Sequence, residues 1–247
     1  IKGMAKYFHT RGFDVLAWNY RSCSGELNYR SRFYHSGDIN ELDFVIRHAL
    51  EKFDYKNIHL IGFSLGGNLT LRYLGRNDKK IFEQISSAVC CSVPCDLSSG
   101  AKTLGTPKNR LYEQHFLLTL KRKLLLKRKK GQLKNIDIKK AILSKNLIEF
   151  DNHVTAPLHG YSDADDYYKK ESSIFYLKGI EVPTLILNAK NDPMLSDKSY
   201  PYEESEKNSF IKLETPDFGG HVGFFNFNLK NETYSEKKAY RFVKESV

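Results

Sequence analysis

The chain has 247 residues and a formal net charge of +10, with 40% apolar and 13% aromatic residues. That length and composition suit one folded α/β domain with a sizeable core, and exclude a disordered or fibrous chain. No apolar run reaches the roughly eighteen residues that a membrane-spanning helix needs.

In chain order, Ile1 to His9 reads as an amphipathic helix leading into an expected strand, Phe13 to Tyr20. Asp38 with Glu41 resembles a capping box opening a helix whose Leu42, Val45, Ile46, Ala49 and Leu50 share an apolar face. Ile58 to Phe63 is a strand of the buried type, followed by a helix from Leu65 to Arg76 with Leu69, Tyr73 and Leu74 facing inward. Ile85 to Val93 is the next strand, and an insertion of roughly 96–168 follows it. Two further strands, Pro183 to Ala189 and Phe210 to Glu214, run out into the loops Lys190-Asn191-Asp192-Pro193 and Asp217 to Phe224. Such alternation implies a mostly parallel sheet with helices on both faces. No repeat or linker divides the chain, so residues 1–247 are expected to form one domain.

The chemistry is concentrated in Gly62-Phe63-Ser64-Leu65-Gly66-Gly67-Asn68. G-x-S-x-G between a strand and a helix is a nucleophile elbow, a turn so tight that its neighbours must be glycine and its serine projects from the sheet. A serine hydroxyl is a weak nucleophile and needs a base, which in turn needs an orienting carboxylate. The expected chain order is Ser, then Asp or Glu, then His, each on a loop after a strand. Asp192 and His221 occupy those places. Asp217 is the competing carboxylate, ranked second because its alternative role is a turn residue bonded to its own backbone. His35 precedes a helix start and suits a loop or pocket wall, while His9, His48, His59, His115 and His153 read as surface or packing residues. Cys23, Cys90, Cys91 and Cys95 form neither a disulfide framework nor a paired metal motif, so no metal is expected. Reduced cysteines favour a cytoplasmic setting.

The blocks Asn19-Tyr20-Arg21-Ser22-Cys23-Ser24-Gly25-Glu26, Tyr34-His35-Ser36-Gly37, Gly62 to Asn68, His159 to Tyr168, Ala189 to Pro193 and Gly219 to Phe224 together resemble the YheT-like hydrolases, family four of the α/β-hydrolase superfamily. The resemblance spans nearly the whole chain. Ser22 departs from it, standing where the family usually has glycine. It implies an α/β-hydrolase fold with a helical cap insertion, no cofactor, and a triad on Ser64, Asp192 and His221. Phe63, Cys23, His35 and Val222 are expected to contact substrate. The resemblance also implies an N-terminal truncation of about seventy residues, with N-terminal strands absent from this chain. The Leu65 N–H would then supply one oxyanion donor, and the second would lie upstream of Ile1. Losing one such donor typically costs about 10²- to 10³-fold in turnover.

The insertion should form the cap that selects substrate. Leu111, Phe116, Leu117, Leu120 and Leu124 are spaced to line one face of a helix, flanked by Lys121-Arg122-Lys123 and Lys127 to Lys130. From Lys108 to Lys145 there are thirteen Lys or Arg against Glu113 and Asp137, an excess of eleven. This basic cap can be a solvated face, or can rest on an anionic membrane surface and admit lipid esters from it. Nucleic acid is not an expected partner, because no aromatic platform accompanies the charge. The expected activity is a serine hydrolase cleaving short- or medium-chain acyl esters, lipid esters included, through an acyl-enzyme. Alternatives are a thioesterase or acyltransferase with the same triad, or a non-catalytic protein binding membrane surfaces through the cap.

Overall fold

A computed structural model describes residues 1–76, 82–133, 136–225 and 232–246. In chain order its elements are α1 (Lys2–His9), α2 (Ile39–Lys52), β1 (Ile58–Phe63), α3 (Leu65–Leu74), β2 (Ile85–Cys91), α4 (Leu97–Leu104), α5 (Arg110–Lys129), α6 (Ile138–Leu143), α7 (Leu147–Phe150), α8 (Ala156–His159), α9 (Ala164–Glu171), β3 (Thr184–Leu187), α10 (Tyr202–Lys207), β4 (Ile211–Glu214) and α11 (Tyr234–Glu245). They fall into two compact units, one of residues 1–18, 36–96 and 172–247, the other of residues 19–35 and 97–171.

The first unit is built on a parallel sheet in the order β1-β2-β3-β4. Its register places Ile61 beside Val89, Cys90 beside Ile186, and Ile186 beside Leu213. Strand side chains alternate between faces. Val89, Cys91, Leu185 and Leu187 therefore share one face, where Met4 and Phe8 of α1 and Ala239 and Val243 of α11 pack on them. Burial pushes the Cys91 thiol up to about 12, so this cysteine behaves as an inert core residue. Edge-to-face rings add to the seam: Phe8 meets Tyr240 at 5.7 Å and Phe13 at 5.2 Å, contacts worth about 0.5–1.5 kcal/mol beyond area burial. Helix α2 is tied to the end of α3 by Asp43. It accepts from Arg76 at 2.8 Å, from Arg47 at 3.0 Å and from the Tyr73 hydroxyl at 3.2 Å. Burial works against the Asp43 carboxylate, but the bonds from Arg76 and Arg47 prevail and hold its pKa below the usual value.

Two local expectations fail here. Residues 13–20 form no strand ladder among the described residues, and the outer edge of β1 has no strand partner among them. Val15 and Leu16 are exposed. An apolar run predicts burial, whereas a strand also requires a hydrogen-bonded neighbour. At α2, Asp38 gives no side-chain cap; its ψ of 61° lies outside the extended region that an N-cap needs. A capping box forms instead at α11, where Thr233 Oγ1 accepts from the Glu236 N–H and Glu236 Oε2 from the Thr233 N–H.

The second unit is helical and includes residues 19–35 as well as the insertion. Phe33 packs with Leu117 and Leu124 of α5, Ala141 of α6, Phe150 and Val154. The inward line of α5 differs from the expected one. Glu113, Leu117, Leu124 and Lys127 are buried, with Leu120 packed beside them, while Leu111 and Phe116 are exposed. The two charged members have inward partners. Glu113 Oε1 accepts from the Leu147 N–H at 3.1 Å, and Lys127 Nζ donates to the carbonyls of Asn28 at 3.0 Å and Arg30 at 2.7 Å. Burial, reinforced by Arg21 and Lys130, lowers the Lys127 pKa to about 8. Between α7 and α8 the chain makes a π-helical turn, residues 151–155. There the half-buried Asp151 accepts from the Thr155 and Tyr168 hydroxyls, and desolvation raises its pKa to about 6 despite those bonds.

Candidate active site

Ser64 joins β1 to α3 with φ 52° and ψ −119°, a conformation that a non-glycine residue adopts only when its surroundings impose it. Those surroundings are local. A Cβ at Gly62 would collide with the Gly66 carbonyl, and one at Gly67 with the Val93 side chain. The Ser64 N–H donates to the Cys91 carbonyl at 2.8 Å, and its own carbonyl receives the Gly67 and Asn68 N–H groups. Leu65 opens α3, so its N–H is one that the helix cannot satisfy internally.

Two loops of the same unit bring the other groups in. Asp192 follows β3 with its carboxylate buried, and His221 lies in the loop after β4. His221 Nε2 is 3.0 Å from Ser64 Oγ. His221 Nδ1 is 2.9 Å from Asp192 Oδ2 and 3.1 Å from Oδ1. Facing an ionised carboxylate, Nδ1 can only donate, which leaves Nε2 as the acceptor for the Ser64 hydroxyl proton. That chain of donors and acceptors can move a proton from Ser64 to His221 while Asp192 stabilises the resulting imidazolium. Asp217 is elsewhere, exposed and paired with Lys190 at 2.8 Å.

The His221 loop is held by residues that sequence reasoning did not single out. Asn191 Oδ1 accepts from the Gly219 and Gly220 N–H groups at 2.9 and 2.8 Å. Ser92, just past β2, accepts on Oγ from the Val222 N–H at 2.9 Å. Asn188 joins two strand ends: its Oδ1 accepts from the Val93 N–H, and its Nδ2 donates to the Val93 and Ser199 carbonyls. The signal in the sequence was a polar residue directly after each apolar run, Ser92 after Ala88 to Cys91 and Asn188 after Leu185 to Leu187; both are fully buried. The loop needs these ties because Val222 and Phe224 both sit at positive φ, 56° and 42°.

The remaining expected contact residues divide between the units. Val222 is exposed beside His221, and Phe63 ends β1 packed against the core. Cys23 and His35 belong to the second unit. Cys23 is exposed, with Lys123 Nζ 3.1 Å from its sulfur. His35 is buried, with its ring 4.3 Å from that of His159 and 6.0 Å from Tyr161 and Tyr167. Among the described residues there is no cluster of three or more potential metal ligands, and no helix long and apolar enough to cross a membrane.

Comparison with known proteins agrees with this architecture. "Putative esterase YheT" of Escherichia coli (strain K12) is 31% identical over 236 residues, covering 92% of this chain and 66% of that protein. Phospholipase ABHD3 of Homo sapiens is 28% identical over 237 residues, 96% of this chain and 58% of that one. Monoacylglycerol lipase of Saccharomyces cerevisiae is 29% identical over 238 residues, 94% and 52% respectively. The chain thus spans between half and two thirds of the length of these relatives. An esterase of Pyrococcus furiosus shares the fold, with a TM-score of 0.61 over 99% of this chain and 75% of that one at 16% identity. A family model described as the alpha/beta hydrolase fold matches residues 1–227, and on that match, together with the parallel sheet and the serine elbow, the chain belongs to the α/β-hydrolase family.

Proposed function

We propose that this chain is a serine hydrolase of carboxylic esters, acting through an acyl-enzyme on Ser64. The observation that carries the reading is the unbroken relay from Ser64 Oγ through His221 to the buried Asp192. In the first half-reaction Ser64 Oγ attacks the ester carbonyl carbon as its proton passes to His221 Nε2. Asp192 keeps the Nδ1 proton in place and offsets the imidazolium charge. The carbonyl oxygen becomes an oxyanion, to which the Leu65 N–H donates in this reading. As the tetrahedral intermediate collapses, the C–O bond to the alcohol breaks and the His221 proton goes to the departing oxygen. Water then repeats the sequence on the acyl-Ser64 ester, releasing the acid and restoring the hydroxyl.

Lipid esters are the substrate class we favour. Two of the relatives above are named as a phospholipase and a monoacylglycerol lipase, and the region 108–145 has the positive charge suited to an anionic membrane surface. The test is fluorophosphonate labelling read by intact mass and peptide mapping. One adduct at Ser64, absent from Ser64→Ala, is expected. A folded protein that takes up no label would overturn the proposal.

A further inference from the structure

Helix α5 has two opposed lines of side chains. The inward one is Glu113, Leu117, Leu120, Leu124 and Lys127. At 3.6 residues per turn the line directly opposite is Leu111, His115, Leu118, Arg122, Leu125 and Lys129, and every member is exposed. Leucines recur along it every seven residues, and a basic or titratable side chain stands between each pair. Leu111 is 87% exposed, Leu118 65% and Leu125 39%, and the exposed Tyr112, Phe116 and Leu126 widen the apolar surface. None of these three leucines belongs to the buried cluster that Leu117 and Leu124 form with Phe33 and Phe150.

The cations of this helix are not equivalent. Lys127 is committed to the interior, Lys121 donates to the Ser144 carbonyl at 2.6 Å, and Lys123 contacts Cys23. Arg122 and Lys129 are exposed on the outward line, and Arg110, Arg128 and Lys130 are exposed to either side of it. A second helix fits this face poorly, because Arg122 and Lys129 would occupy alternate positions of the buried seam, where a cation costs stability. A polyanion such as nucleic acid would be satisfied by the cations and has no use for the leucines. An anionic lipid surface uses both. Leucines enter the acyl boundary while Arg and Lys extend along their stems to the headgroups.

We infer that the outward face of α5 is a docking surface for an anionic lipid bilayer. This rests on the lipid-ester reading only for its purpose, since docking itself needs no turnover. The test therefore uses the full chain as Ser64→Ala, floated with vesicles of phosphatidylcholine alone or mixed with phosphatidylglycerol. Binding is expected only to the mixed vesicles, weakening as salt rises. Arg122→Gln with Lys129→Gln should weaken it about fivefold per charge removed. Leu111→Ser with Leu118→Ser should weaken it as well, and a Leu118→Trp indole should be quenched by bromine-labelled acyl chains. These side chains are exposed, so circular dichroism should be unchanged. Binding that survives both serine changes without quenching would overturn the inference and leave a general polyanion surface. A dimer abolished by Leu118→Ser, with no vesicle binding, would overturn it in favour of a second copy. Hydrolysis of a short water-soluble ester by the Ser64 protein, unchanged in the α5 variants, separates failure of docking from failure of the hydrolase reading.

Discussion

Replacing Ser92 by alanine tests whether the His221 loop is held in working position from outside. Ser92 is fully buried, and its Oγ accepts the Val222 N–H at 2.9 Å, one residue from His221. Losing one such bond costs about 1 kcal/mol net. For a chain of this size that lowers Tm by about 2–4 °C. The cost in rate should be larger than the cost in stability, because Val222 at φ 56° has a backbone that relaxes once released. A drift of about 1 Å at the imidazole can cost about a hundredfold in the chemical step. Ser92 itself has φ 54°, so Ser92→Gly is the informative companion: it relieves any strain there yet also lacks Oγ. The assay is the rate of fluorophosphonate labelling at Ser64 alongside thermal melts. Both variants should label slowly with only small losses in Tm. If Ser92→Gly labels at the parental rate, the hydroxyl is not what positions His221 and the reasoning fails.

The two acidic candidates should separate cleanly in the same assay. Asp192→Asn should slow labelling by about 10³- to 10⁴-fold through loss of the correct imidazole tautomer, whereas Asp217→Asn, on an exposed pair with Lys190, should leave it unchanged. Gly62→Ala should fail to yield folded protein, since its methyl group meets the Gly66 carbonyl four residues away; recovery of a cooperative melt would contradict the close approach. Lys127 should leave a signature in the pH dependence of unfolding. Its pKa is about 8 in the fold against 10.5 normally, so between those values the unfolded chain binds the proton more tightly. This residue's contribution to stability therefore rises with pH across that window. Urea melts across that window should show Lys127→Met lacking this rise, and an identical slope in both proteins would show that the lysine is not desolvated.

The site and the outer helix differ in how far local sequence could determine them. The elbow is decided within a few residues, because Gly62 and Gly66 approach each other across a single turn and the strain at Ser64 follows from that turn. Asp192 and His221 were also legible by position. Parallel strands flanked by helices bring the loops at their carboxyl ends to one side of the sheet, so residues 29 apart there come within hydrogen-bonding distance. The inward face of α5 was not legible. Leucines occur on both sides of that helix, and the choice was made by distant partners, Asn28 and Arg30 for Lys127 and Leu147 for Glu113. Likewise the apolar residues 13–20 have no ladder among the described residues, and the capping box lies at Thr233 rather than Asp38. What the sequence by itself determined were features set by neighbours along the chain: the elbow, the sheet strands and the chain order of Ser64, Asp192 and His221. Only the tertiary structure decided which face of a helix is buried, which charges are desolvated and that the buried Ser92 and the exposed Asn191 tie the histidine loop, because those depend on groups tens of residues away.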